Sequence, residues 1–161
     1  MSASRWVSTG GALGALLWAA PAAARAPEGF GIGVIGGDPE ALVSWAWRPG
    51  DEWYLQGSAG WDLRDDAVHV TVDYVLQPMI LDVPDAPNVR FPLYVGVGAR
   101  LRVGDGWDGE DEGLGVRVPF GISVTPTTVP LDFFLEIAPA VILFPQTEGE
   151  LDGGLGVRFY F

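Results

Sequence analysis

The chain has no cysteine and no lysine, one histidine and two methionines among 161 residues. Without cysteine it can form no disulfide, hold no thiolate metal site and use no thiol nucleophile. Its positive charge rests on nine arginines against 21 acids, a formal net charge of −12. So acidic a chain repels a phosphate backbone, and no basic patch with interleaved aromatics offsets this, so nucleic acid is not expected as a partner. Beyond the N-terminus the chain also lacks any apolar run long enough to cross a bilayer as a helix. Yet 48% of it is hydrophobic, with 23 Gly, 13 Pro and 7 Trp. The apolar residues must therefore be dispersed.

The one concentrated apolar stretch comes first. Arg5 supplies a positive start, Trp6 to Ala20 carry Leu13, Leu16, Leu17 and Trp18, Pro21 breaks the run, and Ala22-Ala23-Ala24 follows. This is the order of a secretory signal peptide. The spacing predicts removal of residues 1–24, a short N-terminal segment at 25–28, and one domain at 29–161. Cleavage after Ala26 would leave Pro27 first, which disfavours it. A retained membrane anchor would need a longer stretch. Losing Arg5 and no acid leaves eight arginines against 21 acids, or −13.

From residue 29 onward, eight segments alternate with a period of two, the signature of strands. Phe30, Ile32 and Val34 share one face in the first, and Gly29, Gly31 and Gly33 the other. The second sets Val43, Trp45 and Trp47 against Leu42, Ser44, Ala46 and Arg48; the third sets Trp53, Leu55 and Trp61 against Tyr54, Gln56 and Ser58. In the fourth, Val68, Val70, Val72, Tyr74 and Leu76 oppose His69, Thr71, Asp73 and Val75. In the fifth, Phe91, Leu93, Val95, Val97 and Leu101 oppose Tyr94, Gly96, Gly98, Arg100 and Arg102. The sixth (114–124), seventh (131–141) and eighth (154–161) continue the pattern, with Arg117, Asp132, Glu136 and Arg158 on their polar faces. Residues 78–89, 104–112 and 144–152 read as the longer connections.

A soluble barrel also alternates, but turns its apolar face inward. Here the glycines within strands gather on the polar face, where they make room for large neighbours inside a narrow barrel. With the chain termini at one rim, Trp45, Trp47, Trp53, Tyr74, Phe91, Phe133, Phe159 and Phe161 fall near that rim on the apolar face, as in an interfacial aromatic girdle. Segments of about ten residues at ~3.3 Å, tilted roughly 40°, cover about 25 Å. The expectation is an all-β protein: an eight-stranded antiparallel up-and-down transmembrane β-barrel whose lumen is filled by side chains. Its inward charges should pair, because unpaired buried charge is costly. Simple hairpin registers predict an Arg117–Glu136–Arg158 cluster with Asp132, Asp73 and Arg100 nearby. Pro119 and Pro139 resist this reading, since each removes a ladder hydrogen bond within a strand.

The closing Gly-Leu-Gly-Val-Arg-Phe-Tyr-Phe, with Leu155, Val157, Phe159 and Phe161 on one face, resembles the C-terminal signal read by the barrel assembly machinery. Over residues 29–161 the pattern resembles the OmpA/OmpX-like eight-stranded outer-membrane proteins. More closely it resembles a set of small uncharacterised outer-membrane barrels of diderm bacteria. The shared-looking pieces are the Gly-Ile-Gly-Val-Ile-Gly-Gly-Asp-Pro opening, Val-Asp-Tyr at 72–74, Pro-Leu-Tyr-Val-Gly-Val-Gly at 92–98, Gly-Val-Arg-Val-Pro at 115–119 and Phe-Leu-Glu-Ile-Ala-Pro at 134–139. The resemblance implies an integral outer-membrane location, outer-membrane lipid and the assembly machinery as partners, a monomer, and no transferable activity. Pro119 and Pro139 would then be family features.

Catalytic candidates are few. His69 with Ser58 on the neighbouring segment could form a nucleophile–base pair as in lipid-modifying barrels, but both point inward, away from lipid. A lumen hydrogen-bonding role suits His69 better. The acidic loop 105–112 could offer carboxylates to calcium but lacks EF-hand spacing, so no metal is expected. Gly31-x-Gly33 with Gly36 echoes a nucleotide loop without the helix that must follow. No cofactor is implied. The reading is a non-enzymatic barrel with an envelope-structural or surface-display role. Its rivals are an adhesion or ligand-binding barrel acting through loops 104–112 and 144–152, and a lipid-modifying enzyme. If the leader is read correctly, the mature protein purified from an exporting host begins at Arg25, which its intact mass and N-terminal sequencing will check.

Overall fold

The computed structural model describes residues 27–38, 42–62, 67–81, 83–104 and 113–161. The expected signal peptide at residues 1–24 and the acidic loop 105–112 lie outside the described residues. Those described form nine antiparallel strands and no helix: β1 (Gly29–Asp38), β2 (Leu42–Arg48), β3 (Trp53–Asp62), β4 (Ala67–Leu81), β5 (Val89–Gly104), β6 (Gly113–Arg117), β7 (Phe120–Pro126), β8 (Leu131–Phe144) and β9 (Glu148–Tyr160). Each strand pairs with its predecessor or with the next wall position, and β9 returns to β1, so the sheet closes in a ring. The seam runs from Gly31 opposite Tyr160 to Asp38 opposite Gly153, and the Phe161 amide donates to the Phe30 carbonyl at 3.0 Å.

The ninth strand arises where eight segments were expected, and its cause is proline. β6 and β7 are two halves of one wall position, since both lie between β5 and β8. Across the break the register is unchanged: Gly98 faces Arg117 on one side and Val95 faces Phe120 on the other. Pro119 has no N–H to donate, but its carbonyl still accepts from Gly96 N at 2.8 Å. Pro139 lies across the same break and accepts from Val118 N at 3.0 Å. Its own missing donor would have faced that interruption. The two prolines thus share one gap in the ladder, which spares the wall a second one.

Two connections are shorter than the sequence suggests. Residues 78–81 continue β4, which passes a bulge between Leu76 and Met79 and then pairs Met79, Ile80 and Leu81 with Leu93, Pro92 and Phe91. The bulge absorbs Pro78, which could not donate to the ladder. Likewise 144–152 is no loop. β8 ends at Phe144, β9 starts at Glu148, and only residues 145–147 connect them.

The pairing also fixes the size of the barrel. Following partners from Gly33 through Ser44, Ser58, Thr71, Arg100, Gly115 and Ile142 leads to Glu148 on β9. Gly33 itself pairs with Arg158, ten residues away. A shear of that size around eight wall positions tilts the strands by about 40° and leaves an interior just wide enough for side chains.

Two glycines of the inner wall are shaped to that interior. A Cβ at Gly121 would collide with the Tyr94 ring, and one at Gly156 with the Phe134 ring. The cluster Ala46, Tyr54, Val75, Tyr94, Phe134 and Tyr160 fills the centre of the barrel. Overpacking such a site costs about 1–3 kcal/mol. Gly156→Ala should therefore lower the unfolding free energy from urea titration by that amount, whereas Gly149→Ala, which meets open space, should leave it unchanged.

Candidate functional site

Among the described residues, chemistry-bearing side chains converge in the lumen. Strand alternation sends every second residue inward, and on β2, β4, β5, β6, β8 and β9 those residues include charged side chains. Four arginines (Arg48, Arg100, Arg117, Arg158) and four acids (Asp73, Asp132, Glu136, Asp152) are buried there. The counts match, so the lumen can be neutral without taking up a proton or an ion.

Near the rim that carries the termini, Arg48 Nη2 donates to Asp132 Oδ2 at 2.9 Å, and Thr125 Oγ1 donates to Asp132 Oδ1 at 3.3 Å. The Arg48 guanidinium lies 4.2 Å from the Tyr54 ring centre, where the ring's negative face favours a cation. Further in, Arg158 donates to Ser44 Oγ at 2.9 Å and to Gln56 Oε1 at 3.0 Å, and stacks 3.9 Å over Phe134. Gln56 then turns its amide nitrogen to Glu136 at 2.7 Å and Asp73 at 3.2 Å. Tyr94 adds a third donor to Glu136 at 3.0 Å.

Toward the other rim Arg117 is the hub. It pairs with Glu136, with Asp73 at 3.2 Å and with Asp152 at 3.3 Å. Asp152 also accepts from Arg100 at 2.7 Å, and Arg100 reaches Glu150. A void of about 30 Å³ remains beside Arg117, Glu136 and Asp152, about the share of liquid volume that one water takes.

Of the residues singled out from sequence, Arg117 pairs directly with both Glu136 and Asp73. Arg158 does not bond Glu136 itself; Gln56 relays between them. Asp132 belongs to a separate pair with Arg48, and Arg100 joins through Asp152. Sequence reasoning left out Arg48, Gln56, Tyr94 and Asp152. Asp152 was hidden by reading 144–152 as a loop; it faces Ala138 on β8, which sets it on the inner face. The continued alternation from Arg158 back through Gly156 and Gly154 was the signal that could have found it.

Ser58 Oγ shares a 2.8 Å hydrogen bond with Thr71 Oγ1, while His69 Nδ1 stands 3.3 Å from Arg100 Nη2. Both are engaged in the lumen network with other partners. Gly31, Gly33 and Gly36 are paired on β1 rather than forming a phosphate loop. Among the described residues no group of three or more His, Cys, Asp or Glu could hold a metal ion.

On the outer face Trp47, Trp53 and Tyr74 form a continuous row, with ring centres 5.9 and 5.6 Å apart, and Phe30 meets Phe161 at 5.8 Å. The Trp45 ring packs against Gly57, in space that a Cβ there would occupy. Phe133 is exposed, and Phe91 and Phe159 are half-buried. Leu155, Val157 and Phe159 lie on the outer face of β9 with Phe161 just beyond it.

Compared with known proteins, the chain matches no family model, no curated protein and no solved structure.

Glu136 gathers Arg117, Gln56 and Tyr94. Replacing it with alanine removes one of the three counter-charges of Arg117 and leaves the lumen with one uncompensated positive charge and the Tyr94 hydroxyl without its acceptor, a loss of about 3–5 kcal/mol. Glu136→Ala should therefore lower the unfolding midpoint strongly, and Glu136→Gln, which keeps acceptors for Gln56 and Tyr94, should lower it less. Equal stability of all three proteins would exclude a structural role for the cluster.

Proposed function

We propose that the chain is an integral β-barrel of a bacterial outer membrane, OmpA/OmpX-like in architecture, with an envelope-structural or surface-display role and no catalytic one. One observation carries the reading: the barrel is inverted relative to a water-soluble one. At the described positions the outward side chains of the strands are all apolar, glycine or proline, apart from the amphipathic Tyr74, and the charges lie inside. Leu135, Ile137, Leu151 and Leu155 are 54–66% exposed on this surface. Water penalises such an area at roughly 25 cal/mol per Å², whereas lipid tails do not.

Closure supports the same reading, because a ring of strands satisfies its backbone hydrogen bonds internally, as a bilayer requires. The row Trp47–Trp53–Tyr74 suits the headgroup level. The expected leader and the Leu155-Val157-Phe159-Phe161 face fit export followed by insertion through the barrel assembly machinery, with outer-membrane lipid as the surrounding solvent. The lumen supports the non-catalytic reading, because each buried acid there pairs with an arginine and Ser58 bonds Thr71 rather than His69.

Expressed with its leader in a diderm host, the protein should co-sediment with the outer membrane. It should also migrate differently on a gel before and after boiling, as a closed barrel resists detergent until heated. Recovery as a soluble periplasmic protein of unchanged mobility would overturn the proposal.

A further inference from the structure

β1 differs from the other eight strands in what it sends into the lumen. Its inward positions are Gly29, Gly31, Gly33, Ile35 and Gly37, so one side chain, Ile35, packs against the core from it. Residues 29–37 carry no polar side chain and take no part in the lumen network. Every other strand supplies at least one member: Arg48 on β2, Gln56 on β3, Asp73 on β4, Tyr94 on β5 and Arg117 on β6, then Thr125, Asp132 and Arg158 on β7, β8 and β9.

The network instead passes over β1. The register sets Gly33 between Ser44 on β2 and Arg158 on β9, and Gly31 between Ala46 and Tyr160. Arg158 Nε donates across Gly33 to Ser44 Oγ at 2.9 Å, and the same guanidinium reaches Gln56 of β3 at 3.0 Å. Tyr160 lies over Gly31, where a Cβ would stand 2.8 Å from its ring. The Arg48 guanidinium of β2 lies 5.4 Å from the Tyr160 ring centre and holds Asp132 of β8. β2 and β9, two wall positions apart, are thus joined directly. What holds β1 is chiefly its backbone ladder to β2 and β9, with Ile35 inside and the contact of Phe30 with Phe161 outside.

We propose that β1 is a separable strap: it leaves its place between β2 and β9 as a unit while the other eight strands stay joined through the lumen. Opening it leaves no buried charge unpaired and withdraws one inward side chain. Displacing β2 or β9 would instead break Arg48–Asp132 or Arg158–Ser44. The slot also selects its strand by shape. It admits glycine opposite Arg158 and Tyr160, because a Cβ there would meet the Val157 carbonyl or the Tyr160 ring. The inference does not depend on the membrane reading. A bilayer raises the cost of opening, since freed backbone groups find no water there, and so sets how rarely the strap leaves.

The test is amide hydrogen exchange on the full mature protein in detergent micelles, resolved residue by residue by NMR. The amides of residues 31–35 should share one rate and be protected at least about tenfold less than those in the middle of β8. The amides of β2 and β9 alternate in direction. Those that bond β1 should exchange at its rate, and those that bond β3 or β8 should stay slow. A rate that falls steadily from Gly29 inward would be ordinary end fraying and would overturn the proposal. So would equal protection of β1 and β8, or joint loss of both edges of β9, which would make β9 the moving strand. A second arm introduces Val34→Cys with Val157→Cys, an outward pair opposed across the seam in a chain with no other thiol. Oxidising that pair should slow exchange at residues 31–35 at least about tenfold, and reduction should restore it. No change on oxidation would also overturn the proposal.

Discussion

Mutual neutralisation of charge inside a closed wall is the constraint on which the molecule depends. Eight wall positions at a shear of ten residues leave no room for bulk water, so each inward arginine or acid must find its counter-charge among the other strands. That requirement links residues far apart in sequence: Arg48 of β2 with Asp132 of β8, and Arg117 of β6 with Asp73 of β4 and Asp152 of β9. Buried ion pairs add little net stability compared with apolar packing, but a pair with one member missing is heavily penalised. The network therefore acts mainly against wrong registers. A slip of one residue would turn its charges to the outer face and the apolar residues inward.

Shape enforces the same register from another direction. Tyr94 and Phe134 occupy volume that exists only because Gly121 and Gly156 face them without a Cβ. Arg158 is held both by hydrogen bonds to Ser44 and Gln56 and by the Phe134 ring beneath it, and Phe134 lies over Gly156. Polar satisfaction and packing are therefore coupled through the same few side chains. The outer face carries no comparable specificity. Its residues need only be apolar, with larger rings gathered toward one rim.

Much of this was legible in the chain because a strand's period of two is strict. Once Phe30, Ile32 and Val34 were set against three glycines, the inner and outer assignment of the other segments followed. What escaped depends on register rather than period. Alternation places Arg158 and Glu136 on the inner face but does not say that Gln56, three wall positions from Arg158, stands between them. Prolines misled in two ways. Pro78 suggested a long connection where β4 bulges and continues, and Pro119 and Pro139 looked like two faults where the wall has one. Arg48 escaped notice at the end of its segment, next to Pro49, where a charge usually faces solvent.

The seam between β1 and β9 has a consequence for how the molecule is made. It joins Gly31 to Tyr160 and Gly33 to Arg158, partners separated by nearly the whole described chain. The other wall contacts are mostly between hairpin neighbours, which can meet early and cheaply. Closing the seam pays the loop entropy of more than a hundred residues in one step. High contact order of this kind makes folding slow. Until that step, every partly built intermediate presents two open strand edges and a lopsided set of inward charges. Such a chain gains from keeping its edges apart until its last strand is available, so the topology itself favours late, concerted closure over gradual strand-by-strand accretion.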